Sequence, residues 1–291
     1  MVAICPGIGR RPGLAWIGFK GGQQDQAMNL QLEDKLAFVS GSTAGIGFAI
    51  AKALAAEGAR VIINGRTGQR VTGAIGSLRA SVPKAKLEPL ALDLSKAEAA
   101  TEATARFPAV DILVNNLGIY EPKPFEQITD TDWAAVIETN FMSGVRLCRH
   151  YLSRMNTAGW GRIIFISSES AVNIPVEMIH YGVTKTMQVA LARGLAETTV
   201  GTGVTVNSVL AGPTRSEGVE KFIIDLATAN KVSAAEAEKD FFRTVRPSSL
   251  LRRFASPDEV AALVTFLASP LASATNGAAL RVEGGVVRSV L

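Results

Sequence analysis

LAFVSGSTAGIG (Leu36–Gly47) runs a short apolar segment into three closely spaced glycines, and the Ala/Leu-rich Gly47–Ala59 follows at once. A short apolar run ended by turn residues reads as a buried strand. The segment after it reads as a helix closed by Gly58. Gly41 permits a tight turn, while Gly45 and Gly47 let backbone approach a pyrophosphate and pack helix on strand. The helix start adds free N–H donors and a positive dipole end. Glycine turns between strand and helix can be purely structural. The position between a first strand and its helix points to a nucleotide.

Outward from this stretch the chain keeps alternating. RVIING (60–65), LEPLALD (87–93), DILVNNLG (111–118), RIIFISS (162–168), VTVNSVLAG (204–212) and AALRVEGG (278–285) read as strands. Helices are expected up to about residue 80, between the third and fourth strands, over about 131–157, over roughly 178–198, and from Pro257. Strands that are continuously apolar and separated by helices imply a parallel sheet covered on both faces. The expected fold is therefore α/β: a doubly wound, Rossmann-like parallel sheet of about seven strands in a single domain, residues 31–291. Residues 213–250 insert two apparent helices after the sixth strand, as substrate lids do. Residues 1–30 read as a disordered extension, with Met28 as a natural start.

The chain has 291 residues, 47% of them hydrophobic and 19% charged, which excludes a largely disordered protein. Thirty basic residues against 26 acidic ones give a net charge of +4, half of it in residues 1–27. Without a long basic cluster, nucleic acid is not expected as a partner. No apolar run approaches a membrane span, so no membrane association is expected either. Cys5 and Cys148 do not form a framework, which favours a reducing, cytoplasmic compartment. Cys148 reads as a small buried hydrophobe. His150 and His180 lack partners at metal-ligand spacing, and no metal is expected.

The end of the second strand bears on the nucleotide. NAD-specific folds place an acid there for the adenosine ribose 2′-hydroxyl. This chain has Asn64-Gly65-Arg66, with glycine at that place and a guanidinium that can hold a 2′-phosphate bidentately. NADP(H) is favoured over NAD(H).

Tyr181-Gly-Val-Thr-Lys185 puts a phenol and an ammonium on one helix face. Ser168 ends the fifth strand, at the sheet edge where ligands bind, 13 residues before Tyr181. With the Gly-x-x-x-Gly-x-Gly spacing at 41–47, these motifs resemble the short-chain dehydrogenase/reductase family over nearly all of residues 35–288. Its 3-oxoacyl-carrier-protein reductases are the default substrate type. The resemblance implies four catalytic groups: Ser168, Tyr181, Lys185 and Asn140, the last in Glu138-Thr139-Asn140. It places Gly41, Ser42, Thr43, Gly45, Ile46 and Gly47 at the cofactor's phosphates, and Asp93 and Leu94 in the adenine pocket. Asn116 and Gly118 fall on the cofactor's side of the crevice, and Thr214 near the nicotinamide amide.

The implied chemistry is hydride transfer between NADP(H) and a small carbonyl or secondary alcohol, with Tyr181 as general acid/base. A free phenol near pKa 10 is a poor base, so Lys185 and the oxidised cofactor are expected to lower it. Ser168 would hold the carbonyl. Lys185 would also bind the nicotinamide ribose, and Asn140 would hold a water linking Lys185 to solvent. Ser167 reads as structural, and His180 as facing away from Tyr181. Departures from the family pattern are Ser40 for threonine, Leu117 in Asn-Asn-Ala-Gly, Ala211-Gly-Pro-Thr214 for the Pro-Gly motif, and Glu283 for aspartate. Family members form dimers or tetramers through the helices flanking the fifth strand, so a homo-oligomer is expected. Two alternatives stay open: an NAD-linked alcohol dehydrogenase of the same family, and a nucleotide-binding sensor without catalysis.

Overall fold

The computed structural model describes residues 28–290. Most of the expected N-terminal extension, residues 1–27, lies outside the described residues. Leu30 packs on the core and Leu32 is buried, so packed chain starts just ahead of the expected boundary at residue 31.

In chain order the elements are β1 (Leu36–Val39), α1 (Gly45–Ala56), β2 (Arg60–Gly65), α2 (Gly68–Ser81), β3 (Lys86–Ala91), α3 (Ala97–Arg106), β4 (Ile112–Asn115) and α4 (Asp130–Val136). They continue with α5 (Ser143–Ala158), β5 (Gly161–Ser168), α6 (Ile179–Glu197), β6 (Val204–Ala211), α7 (Glu217–Asn230), α8 (Ala234–Thr244), α9 (Pro257–Leu267) and β7 (Ala279–Val282). All seven strands are parallel, in the order β3-β2-β1-β4-β5-β6-β7. Strand order reverses between β1 and β4, which opens a crevice at their carboxyl ends.

Alternate strand residues feed two cores, as the period-two pleat requires. Val39, Val61 and Ile164 meet Ile50, Leu54, Leu78 and Val264 of α1, α2 and α9. Their neighbours Phe38, Ile62 and Phe165 meet Ala103, Leu147, Tyr151 and Ala192 of α3, α5 and α6. Burying a large apolar side chain of this kind stabilises by about 1.5–3 kcal/mol. Both faces of the sheet are therefore helix-covered, and function is left to the strand ends.

Several strands stop sooner than expected, and for two of them the side chains at the end show why. β3 ends at Ala91 because Leu90 and Leu92 give their carbonyls to the Asn64 side chain. β4 ends at Asn115 because Asn116 turns to the carbonyls of Ser40 and Gly41. The expected helix over 131–157 is present, but a π-helical turn, Ile137–Met142, divides α4 from α5. Such widened turns recur at functional sites, and Asn140 lies in this one. Among the described residues, no helix is long and apolar enough to cross a membrane.

Candidate active site

Side chains of three strands build the glycine loop. Ser40 Oγ accepts from the backbone N–H groups of Asn116 (2.9 Å) and Leu117 (3.0 Å), tying the end of β1 to the chain after β4. The substitution of serine for threonine thus keeps a working hydroxyl. Asn64 Oδ1 accepts from Gly41 N at 3.0 Å, and its Nδ2 donates to Leu90 and Leu92. Gly41 adopts φ +62°, where a side chain is strained. A Cβ on Gly47 would stand 2.4 Å from both Asn116 Nδ2 and Gly41 O, so only glycine fits. The first turn of α1 has no side-chain cap, which leaves its N–H donors for an anion. Ser42 does not face the crevice: it is fully buried, and its hydroxyl accepts from Asn64 N.

At the end of β2, a Cβ on Gly65 would come within 2.5 Å of Thr43 Cγ2. Thr43 therefore fills the space an acid would need there. Arg66 and Arg70, both exposed, border a hollow of about 170 Å³ with Thr43, Asp93, Leu94 and Leu117. The sequence reading missed Arg70, although its position four residues beyond Arg66 puts the two guanidinium groups on one side of the helix start. Leu117 Cδ1 would lie 3.3 Å from a Cβ on Gly41, so the bulky departure packs beneath the loop.

A second cleft, about 580 Å³, continues from Gly41, Ile46 and Gly47 past Asn116 and Gly118 to Ser168, Tyr181, Lys185 and Thr214. Ser168 arrives on the last residue of β5, and Tyr181 and Lys185 on the first two turns of α6. Burial pushes the Tyr181 phenol well above its ordinary range; a hydrogen bond with Ser168 offsets part of this, and Glu169 opposes the offset. Burial also pushes Lys185 down, to about 8. Lys185 Nζ donates to Ile166 O at 2.9 Å and Gln188 Oε1 at 3.2 Å, and lies 5.5 Å from the centre of the Tyr181 ring. In this arrangement the ammonium is held by Ile166 and Gln188, and desolvation dominates the phenol.

Asn140 stands behind the cleft. Its Oδ1 accepts from Ile119 N (2.7 Å), and its Nδ2 donates to Ile119 O (2.9 Å) and Thr184 Oγ1 (3.0 Å). Its backbone carbonyl accepts from Gln188 Nε2 at 2.5 Å. Gln188, unremarked in the sequence, therefore connects the Asn140 backbone to Lys185. Its signal was a polar residue three places after Lys185 on a helix face that proves buried. Ser167 donates to Lys185 O at 2.9 Å and is structural. His180 is buried edge-on against Trp133. Thr214 Oγ1 donates to Gly212 O at 2.9 Å.

A charged group beside Ser168 also lines the cleft, and the sequence reading did not single it out. Glu169 and Arg246 pair at 2.8 Å, and Arg246 also reaches Glu177 at 3.1 Å. Tyr120, Phe222, Phe241 and Phe254 add aromatic lining to the same cleft.

Residues 41–287 match a family model described as enoyl-(acyl carrier protein) reductase. The chain is 50% identical over 263 residues to an uncharacterized oxidoreductase, YvaG, of Bacillus subtilis, covering 90% of this chain and all of the relative. It is 34% identical to the 3-oxoacyl-[acyl-carrier-protein] reductase FabG of Aquifex aeolicus, covering 89% and 100% respectively. Among solved structures, L-sorbose reductase from Gluconobacter frateurii, complexed with NADPH and L-sorbose, superposes with a TM-score of 0.85 at 28% identity, over 90% of this chain and all of that one. Sheet order, glycine loop and sequence agree along nearly the whole length: the chain belongs to the short-chain dehydrogenase/reductase family of oxidoreductases.

Proposed function

We propose that this chain is an NADP(H)-dependent carbonyl reductase in which Tyr181 is the proton donor. The observation that carries the reading is the pairing of half-buried Tyr181 with buried Ser168, with Lys185 one turn further along α6, in the cleft that begins at the glycine loop. The cofactor fits the residues present: Gly47 admits close backbone approach, α1 offers uncapped N–H groups, and Arg66 and Arg70 flank a hollow for the 2′-phosphate. Thr43 occupying the place of an acid supports NADP(H) over NAD(H). The resemblance adds Asp93 and Leu94 at the adenine, Lys185 at the nicotinamide ribose and Thr214 at the amide. The sorbose reductase neighbour, complexed with NADPH, supports the same type of cofactor.

When bound, the reduced nicotinamide supplies the hydride. Tyr181 delivers its proton to the carbonyl oxygen as the new C–H bond forms, and its raised pKa keeps the phenol protonated for that task. Ser168 turns its hydroxyl from Glu169 to the carbonyl and fixes the carbon in place. Lys185, held by Gln188, stabilises the phenolate left behind. Residues 213–250, carrying α7 and α8, act as the substrate lid, and the exposed sides of α5 and α6 serve homo-oligomer formation. The test is NADPH consumption with a panel of neutral ketones. Wild-type protein should turn over at least one, and Tyr181→Phe should lose at least about a thousandfold in kcat. Near-normal turnover by Tyr181→Phe would remove it from the proton-transfer role.

A further inference from the structure

Glu169 directly follows Ser168 and is buried at 3% exposure in the wall of the cleft. A carboxylate taken out of water needs compensation, and this one has three partners. Its Oε1 accepts from Arg246 Nε at 2.8 Å; its Oε2 accepts from Ser168 Oγ at 3.0 Å and from Ser170 Oγ. A carboxylate oxygen can accept two hydrogen bonds, so Oε2 is filled while Ser168 points to it, and Oε1 keeps one place whichever way Ser168 turns. Arg246, itself 8% exposed, comes from the insertion after β6 and gives Nη1 to Glu177 Oε1 at 3.1 Å. Two carboxylates against one guanidinium leave this end of the cleft with a net charge of −1. Lys185 lies deeper, tied to Ile166 and Gln188. Tyr120, Phe222, Phe241 and Phe254 line the same cleft.

These features narrow the substrate, given the reductase reading above. Ser168 touches both the Tyr181 phenol and Glu169. Glu169 therefore stands next to the place where Ser168 and Tyr181 would hold a carbonyl, on the side of a neighbouring substituent. A hydroxyl on that carbon can donate to Oε1, whereas a carboxylate there meets like charge, and a bare methyl leaves the acceptor unused. We infer that Glu169 selects an uncharged ketone carrying a hydroxyl on the carbon next to the carbonyl, with an apolar remainder against the aromatic wall. Arg246 is a positioning residue in this scheme: it aims Oε1 and joins the insertion to the body of the domain.

The test compares binding, so that it does not depend on turnover. 1-Phenylethane-1,2-diol, 1-phenylethanol and mandelate differ only in what the neighbouring carbon carries: hydroxyl, hydrogen or carboxylate oxygens. By calorimetry of the NADPH-saturated wild-type protein, in which an alcohol has no hydride acceptor, the diol should bind about tenfold tighter than 1-phenylethanol, the effect of one hydrogen bond to a charged acceptor. Mandelate should bind weakest. Glu169→Gln, which keeps the shape and removes the charge, should cut the diol's advantage and strengthen mandelate. Glu177→Gln should strengthen mandelate without touching the diol's advantage. Equal binding of diol and 1-phenylethanol, tightest binding of mandelate, or no binding by any at millimolar concentration would overturn the inference. A merely structural Glu169 would weaken all three ligands alike. Assay of the corresponding ketones separates the two readings: the predicted binding order without NADPH turnover would refute the reductase and leave the selectivity standing.

Discussion

Gln188 holds Lys185 in place: Gln188 Oε1 accepts from Lys185 Nζ at 3.2 Å, while its Nε2 donates to the Asn140 carbonyl at 2.5 Å. Gln188 is 1% exposed, so the pair is sealed from solvent. Removing the Gln188 amide would leave the Lys185 ammonium short of an acceptor and the Asn140 carbonyl short of a donor, at a cost of about 1–3 kcal/mol. Gln188→Leu keeps the bulk and deletes both bonds. Its kcat should fall about tenfold with little change in KM. The alkaline limb of its kcat profile should also move to lower pH, since the ammonium has lost an acceptor. Gln188→Glu should move that limb the other way. A variant with lowered thermal stability and an unshifted profile would make Gln188 structural only.

Lys185 carries a stability signature of its own. Burial pulls it from the ordinary 10.5 to about 8. Between those values the unfolded chain holds a proton that the folded one lacks, so stability rises with pH across this window. Below pH 8 the buried ammonium costs about 3 kcal/mol relative to solvent. Lys185→Met should therefore be the more stable protein near neutrality, and its advantage should shrink between about pH 8 and about pH 10.5. Urea midpoints of the two proteins across that range measure the difference. Parallel curves would contradict it.

Glycines 47 and 76 make a matched pair. A Cβ at Gly47 meets Asn116 Nδ2 and Gly41 O at 2.4 Å, while nothing lies within 4 Å of one at Gly76 in α2. Gly47→Ala should destabilise by about 1–3 kcal/mol and weaken NADPH binding about tenfold or more. Gly76→Ala should stabilise by about 0.5–1 kcal/mol and leave binding alone. Thermal melts and NADPH titration of both variants check this.

How much was readable beforehand follows physical lines. The strands, their parallel order and the glycine loop were legible because apolar runs and glycine punctuation are local signals. Ser168, Tyr181, Lys185 and Thr214 were legible as a group through spacing and resemblance, and the structure brings all four to one cleft. The π turn at 137–142 was not, because it changes hydrogen-bond register without changing residue pattern. Gln188 and Glu169 escaped for another reason. Each looks like an ordinary polar residue until the fold buries it against partners: 48 residues away for Asn140 and 77 for Arg246. Ser42 misled in the opposite sense, since its place in the loop matches the family while its hydroxyl turns toward Asn64.

Cofactor choice rests on Gly65, Thr43 and the arginines, and is tested most directly by titrating the protein with NADPH and NADH while following tryptophan fluorescence. NADPH should bind at least about tenfold tighter, or about 1.4 kcal/mol. Arg66→Ala combined with Arg70→Ala should erase most of that gap by weakening NADPH alone. Equal affinities in the wild type, or tighter NADH, would contradict the account and make the chain an NAD-linked dehydrogenase.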